Sequence, residues 1–387
     1  MSGLARYVLA ATLARTADGG AVVAIVLLVT TSGGPGWLAG LLGAAITAPH
    51  LVGPFIARVL DTAADGRTVL TAACLMHGTT LAVAVLLYPH VWAGVTAVLL
   101  AASGLVGPLL TGGISSRLPA IAGPDRHRQR SAQGWDIATY GIAGTVGPSI
   151  VAALSAAASP TIAVLFLAAA TFVAAAVVRL LPYAPPAGEL HEVPHPARTL
   201  QLMISTGPLR RTLYLTVIVA LSVAALPITA VASTPTLGVE PAAAGILTAA
   251  YGLGGLGASM MIMIRPLRGD ADQAMTVLAV AVAAALAAVA VSGSFWSAVA
   301  TYAIAGILNS YFFAATLAAR NEYAPDVARG QVFVWIGALK ITAGSAGTAL
   351  AGGVIAAALH LPLALAIGLT VAAAAASQLE RRLARSG

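Results

Sequence analysis

The ten residues Arg58-Val59-Leu60-Asp61-Thr62-Ala63-Ala64-Asp65-Gly66-Arg67 interrupt an apolar chain with two arginines and two aspartates, between apolar runs at about 36–58 and 68–88. The next break, Tyr88-Pro89-His90, carries no Lys or Arg. The same alternation extends in both directions. Arg6 precedes the first run. Arg117, Arg126, Arg128 and Arg130 follow the fourth, and Arg179, Arg198, Arg210 and Arg211 follow the sixth. Arg265 and Arg268 follow the eighth, Arg320 and Arg329 the tenth, and Arg381, Arg382 and Arg385 close the sequence. Eighteen of the 20 basic residues thus fall in every second gap, while the gaps near Ser32, Ser159, Glu240, Gly293 and His360 hold none. Lys and Arg concentrate in cytoplasmic loops. The pattern therefore predicts an all-α polytopic membrane protein with an even number of spans and both termini cytoplasmic.

Composition agrees. The 387 residues are 59% hydrophobic and 9% charged, against about 25% charged in soluble domains, and the mean hydropathy is +0.92. A span takes roughly 20 residues, so twelve spans use most of the chain and leave no room for a separate soluble domain. We read them at about 8–31, 36–58, 68–88, 91–116, 133–157 and 160–181, then 212–234, 241–264, 273–291, 295–319, 331–357 and 361–379. The net charge of +7 is read as topogenic charge beside anionic lipid and not as a nucleic-acid surface. The single Cys74 excludes an intramolecular disulfide. No cleavable signal peptide is expected, because the first apolar run continues as a span. A predominance of Arg, Ala and Gly points to a GC-rich bacterium.

The polar segment from Pro182 to Pro208 divides the spans into two sets of six: 1–182 as an N-terminal bundle, 183–208 as a cytoplasmic linker and 209–387 as a C-terminal bundle. The halves echo each other. Ala143-Gly144-Thr145-Val146-Gly147 recurs as Ala343-Gly344-Ser345-Ala346-Gly347, and Pro124-Asp125 as Pro325-Asp326. Leu13-Ala14-Arg15-Thr16 matches Leu209-Arg210-Arg211-Thr212. Duplicated six-span halves are the parallel repeat of many secondary transporters.

Two motifs of soluble enzymes are set aside. His191-Glu192-Val193-Pro194-His195 spells the zinc-protease pattern, but Pro194 breaks the helix that would bring both histidines to one metal. Gly252-Leu253-Gly254-Gly255-Leu256-Gly257 spells the dinucleotide pattern without its strand, and reads as a small-residue packing surface inside a span. No metal or cofactor is expected. No phosphate-binding Gly-Lys-Ser/Thr loop is present, which argues against direct energisation by ATP.

The segment between spans two and three resembles the signature loop of the major facilitator superfamily. Asp61, Gly66 and Arg67 match its positions. Ala57 replaces the first Gly, Thr62 replaces a basic residue, and the spacing from Asp61 to Gly66 is two residues longer. The resemblance covers nearly the whole chain and implies the major facilitator fold. It also implies a cytoplasmic gate in which Asp61 meets the start of span eleven near Gly330 and an Arg closing span four, here Arg117. Gly144, Gly147 and Pro148 in span five are similar to the signature of proton-driven exporters in this superfamily, with Val151-Ala152 in place of its later glycines. Structurally, Pro148 kinks the helix and the glycines permit close packing with span eight. Segments 329–333 and 340–344 look like small actinobacterial exporters.

Ionisable groups within the bilayer cost about 2.5–3.5 kcal/mol on the insertion scale and mark pathways. Arg15, Asp18, His50, His77 and Lys340 are such groups, and Asp136 lies near the start of span five. Arg15 and Asp18 stand three apart on one helix and can pair locally, and His77 is read as structural. The resemblance implies that spans two and eleven meet across the cavity, which favours His50 and Lys340. Asn309, Tyr311 and Tyr140 are further candidates for ligand contacts. Asp18, paired with Lys340 or His50, is the expected proton-coupling site. The resulting expectation is a proton-coupled exporter of a small amphipathic molecule, monomeric in the bacterial plasma membrane and without enzymatic activity. A proton-coupled nutrient importer, a membrane enzyme or a lipid scramblase are the alternatives.

Overall fold

The structure is a computed structural model describing residues 2–88, 90–185, 192–240 and 243–386, with side chains described to residue 383. Its described residues contain helices and turns and no strand. Twelve helical segments of 20 to 32 residues are apolar enough to cross a bilayer. We number them α1 Gly3–Thr31, α2 Gly36–Thr62, α3 Gly66–Leu87, α4 Ala93–Ala122, α5 Arg126–Ala157, α6 Pro160–Arg179, α7 Gly207–Ser233, α8 Ala244–Ile264, α9 Ala271–Ala290, α10 Phe295–Tyr323, α11 Asp326–Val354 and α12 Leu361–Leu383. A bilayer core has no water to satisfy backbone N–H and C=O groups, so spanning segments of this composition close their hydrogen bonds internally. The chain is an integral membrane protein. The segment read from sequence as linker contains its own short helix, Pro196–Ser205.

Helix starts are written in the sequence. Ser2, Asp65, Asp125, Ser159, Asp270 and Ser294 each accept a backbone N–H from the first turn that follows, which satisfies donors that the helix itself cannot. At Asp65, the hydrogen bond from the Arg67 side chain also holds the carboxyl below the usual carboxylate range.

The chain forms two compact units. Unit 1 comprises residues 1–132, 139–199 and 325–338; unit 2 comprises 133–138, 200–324 and 339–387. In unit 1, α2 is interrupted by a 3-10 turn at Ala48–Val52 and α4 by a π turn at Leu109–Gly113. Pro49 and Pro108, which lack an N–H, stand at these breaks. The broken segments pack on each other. A Cβ at Gly104 would overlap the Ile46 carbonyl, and one at Gly53 would overlap the Pro108 ring. In unit 2, Gly254 and Gly306 abut the Ala303 and Tyr251 carbonyls. Of the dinucleotide-like glycines, Gly254 and Gly255 therefore lie on the α8–α10 seam, where small residues allow close backbone approach, while Gly257 has open space beside it. Arg211 clamps Asp272 through one guanidinium edge, Nε and Nη2, at 2.7–3.0 Å, with side chains only 7% and 5% exposed.

Gly147 corrects one expectation. An added Cβ there would lie 2.8 Å from the Thr16 carbonyl, and Gly19 and Gly20 face Ala143 and Gly147 in return. The contact is α1–α5, not span eight. It is Gly134 that meets span eight, at Met263 and Ser259, whereas Gly144 has open space beside it. Pro148 lies within an unbroken α5.

Candidate functional site

Three polar constellations stand out, two in unit 1 and one in unit 2. The first lies in the interior of unit 1. His50 is carried on the 3-10 turn of α2, so that its Nε2 reaches the Asp18 carboxylate of α1 at 3.6 Å. Their side chains are 5% and 14% exposed. Gly107 of α4 makes room for both: a Cβ there would come within 2.5 Å of His50 Nε2 and 2.9 Å of Asp18 Oδ1. His77 of α3, fully buried, contacts the Ser103 hydroxyl at 3.0 Å through Nδ1. Asp18 is thus the partner of His50 and not of Arg15. Arg15 instead donates to Thr139 Oγ1, to the Thr111 carbonyl at 3.0 Å and to Ser115 Oγ at 2.8 Å, with its guanidinium 3.7 Å above the Tyr140 ring. The local i, i+3 pairing gave way because helix-to-helix partners satisfy both buried groups more completely.

The second constellation joins α2 to the start of α11, within unit 1. Asp61 Oδ1 accepts the Gly330 N–H at 2.9 Å and Oδ2 the Gln331 N–H at 2.8 Å. A carboxylate over the free amides of a helix N-terminus is favoured both as a hydrogen-bond acceptor and by the helix dipole. Gly330 is needed for this approach, since a Cβ at that position would overlap the carboxylate. Gly66 has a similar reason: the Arg117 guanidinium rests on its backbone and reaches the Leu60 carbonyl at 3.4 Å. Arg67, the next residue, has partners of its own. It pairs with Asp65 at 2.9 Å and bonds the Leu181 carbonyl at 3.1 Å. The two-residue lengthening of the loop supplied Asp65 as its nearer partner.

The linker is anchored on this same point. Gln331 donates its side-chain N–H to the Pro194 carbonyl at 3.0 Å and accepts the Thr199 hydroxyl at 2.9 Å. Trp335 Nε1 donates to the Pro196 carbonyl at 3.1 Å. His195, from the zinc-like motif, lies edge-on to Phe55, while His191 lies outside the described residues.

The third constellation is a cavity of about 340 Å³ inside unit 2, between α7, α8, α10 and α11. Lys340 and Asn309 line it, as do Thr216, Tyr251, Tyr302 and Phe313. Lys340 Nζ sits 3.6 Å over the Phe313 ring. Asn309 Nδ2 donates to the Tyr251 hydroxyl at 2.8 Å. Tyr311, expected beside Asn309, does not line the cavity; it is partly buried elsewhere on α10. Tyr251 and Thr216 escaped sequence reading. The glycine pattern around Tyr251 drew the interpretation toward packing, and a Thr within a span carries no signal of its own. Asp136 is buried in unit 2. Among the described residues, no cluster of three or more His, Cys, Asp or Glu has the arrangement to hold a metal ion.

No family profile and no curated protein sequence matches the chain. Solved structures do. A bacterial homologue of the iron transporter ferroportin, in an outward-facing state, superposes with a TM-score of 0.77 at 13% identity over 100% of both chains. The major facilitator superfamily proton:xylose symporter XylE gives 0.75 at 12% identity, over 96% of this chain and 94% of its own. The human organic anion transporter MFSD10 gives 0.71 at 15% identity, over 98% and 99%. Likeness over entire chains at such low identity is a likeness of architecture. The twelve spanning helices of this chain have the fold of the major facilitator superfamily.

Proposed function

We propose that this protein is a secondary transporter of the bacterial plasma membrane that exports a small amphipathic molecule in exchange for protons by alternating access. It acts as a monomer with both termini cytoplasmic, and its bundles are residues 1–182 and 209–387 joined by the 183–208 linker. The observation that carries the proposal is the Asp18–His50 pair at 3.6 Å. Ionisable groups inside a membrane protein are costly and mark ion or substrate pathways. A carboxylate facing an imidazole is a natural proton acceptor, because one added proton converts the pair to an imidazolium beside a carboxylate, in which the two charges offset each other. Gly107 keeps the two groups in reach of each other. Asp61 over the amides of Gly330 and Gln331, with Arg117 resting on Gly66 and Arg67 paired with Asp65 on the same loop, serves as the cytoplasmic gate. The Gly144, Gly147 and Pro148 stretch supports the export direction through its likeness to exporter signatures.

The test is transport in proteoliposomes with an imposed pH gradient and a compound panel. Wild-type protein should move substrate against its gradient only when protons flow the other way. Asp18→Asn should lose this coupling while still binding ligand. If the variant still concentrates substrate under a proton gradient, Asp18 is not the coupling group.

A further inference from the structure

Corresponding helices of the two halves open on the same pattern, Pro-Asp-x-x-Arg. Pro124-Asp125-Arg126-His127-Arg128 leads into α5, and Pro325-Asp326-Val327-Ala328-Arg329 leads into α11. The two starts are capped differently. Asp125 caps its own helix: its carboxylate accepts the Arg128 N–H at 2.7 Å and its carbonyl the Gln129 N–H at 3.0 Å. Asp326, at the same place in the repeat, accepts no backbone N–H with its side chain among the described residues. Its carboxylate is turned to the Arg329 guanidinium, and residues Asp326–Ala328 wind as a 3-10 turn whose Asp326 carbonyl takes the Arg329 N–H. The α-helix proper begins only at Arg329. Gly330 and Gln331 therefore lie in its first turn, where N–H groups lack an intrahelical acceptor. Asp61, from α2, takes both of them. One copy of the repeat thus carries its own cap, and the other borrows one.

We propose that Asp326 is a reserve cap for α11: when Asp61 withdraws, the Asp326 carboxylate leaves the Arg329 side chain and accepts the Arg329 backbone N–H, as Asp125 accepts that of Arg128, and the turn 326–328 passes from 3-10 to α. Neither donor that Asp61 gives up is then stranded. In the α form the Gly330 N–H bonds to the Asp326 carbonyl and the Gln331 N–H to the Val327 carbonyl, each four residues back. Asp is among the preferred N-cap residues. The pair that it must leave is a weak competitor, because the Asp326 side chain is 67% exposed and exposed ion pairs contribute little. The start of α11 groups with unit 1 and the rest of it with unit 2, so a transport cycle that moves the units acts on this end of the helix first. A second cap lowers the cost of opening there, because the helix exchanges one acceptor for another instead of losing it.

The inference rests on the transporter reading for the cycle that withdraws Asp61, but its test needs neither substrate nor gradient. Purified full-length protein in nanodiscs is compared by hydrogen–deuterium exchange of the peptide covering 325–338, as a double-mutant cycle of Asp61→Ala and Asp326→Ala. With Asp61 in place, Asp326→Ala should change exchange by less than about twofold, since the carboxylate it removes holds only an exposed ion pair. In the Asp61→Ala background the same substitution should speed exchange about fivefold or more, the size of a lost N-cap. Asp326→Asn keeps a capping oxygen but not the charge paired with Arg329, and in that background it should behave like Asp326. If the double alanine variant does not fold, Asp61→Asn replaces Asp61→Ala in the cycle. An equal effect of Asp326→Ala with and without Asp61, or Asp326→Asn behaving like Asp326→Ala once Asp61 is removed, would overturn the inference. Additive effects in a protein that still shows proton-driven transport would overturn it and leave the transporter reading standing. Coupled effects in a protein without such transport would support it and overturn that reading.

Discussion

Removing the Asp61 carboxylate should loosen the start of α11 by a measurable factor. Its two oxygens accept the Gly330 and Gln331 amides at 2.9 and 2.8 Å. Hydrogen bonds to charged groups contribute about 1.5–3 kcal/mol each when buried, whereas removing a helix N-cap costs about 0.5–2 kcal/mol. One partly buried carboxylate serves both bonds, so the combined effect of Asp61→Ala should be about 2 kcal/mol, nearer the capping figure. At about 1.4 kcal/mol per tenfold change, local opening becomes roughly 30 times more frequent. Hydrogen–deuterium exchange of the peptide covering 325–338 reads this directly, because local opening sets amide exchange. Gly330→Ala should reproduce the change, since the new methyl would occupy the carboxylate's position. Asp61→Asn, which keeps an acceptor without the charge, should fall between. Protection in Asp61→Ala within about threefold of wild type would refute the reasoning.

Gly107→Ala should drive His50 and Asp18 apart, cost about 1–3 kcal/mol as overpacking does, and mimic Asp18→Asn in proton-driven transport; a fully coupled variant would count against the pair. Arg211→Ala should destabilise the protein by about 3 kcal/mol in a reversible denaturation assay, the low end for breaking a buried ion pair, because Arg381 still reaches Asp272 at 3.2 Å. A loss under 1 kcal/mol would contradict that. Cys74, fully buried, should take up maleimide only after denaturation, as read by intact mass. In a Cys74→Ser background, Arg198→Cys should label from the cytoplasmic side alone, and labelling from outside intact cells would reverse the topology.

The spans were legible because a bilayer imposes a coarse rule, about 20 apolar residues per crossing, that survives any detail of packing. The meeting of Asp61 with Gly330 was legible through family likeness, and its cause is local: a carboxylate and a helix N-terminus freed of a Cβ. Partner choice was harder to read. Arg15 and Asp18 look like a pair in sequence, but the 3-10 turn at Ala48–Val52 brings His50 to Asp18 from 32 positions away. Nothing in a one-dimensional pattern announces such a break beyond Pro49. Glycines raise the same difficulty. Gly134, Gly144 and Gly147 share one helix, yet they face Met263, open space and Thr16 respectively, because helical phase, and not composition, assigns each a neighbour. The linker's helix and its anchorage on Gln331 and Trp335 were hidden by a proline-rich composition that reads as irregular chain.

Gln331 has a consequence for anyone who recombines this protein with its structural kin. Its backbone N–H belongs to Asp61, its side-chain N–H to Pro194 and its side-chain oxygen to Thr199. Three segments far apart in the chain therefore share a single amino acid, and substitutions among them will not add as independent changes do. A chimera that imports a foreign linker while keeping the native α11 will strand two polar groups on Gln331, and one that imports α11 alone will orphan Pro194 and Thr199. Viable crossovers should transplant 193–199 together with 330–335, as one inherited block.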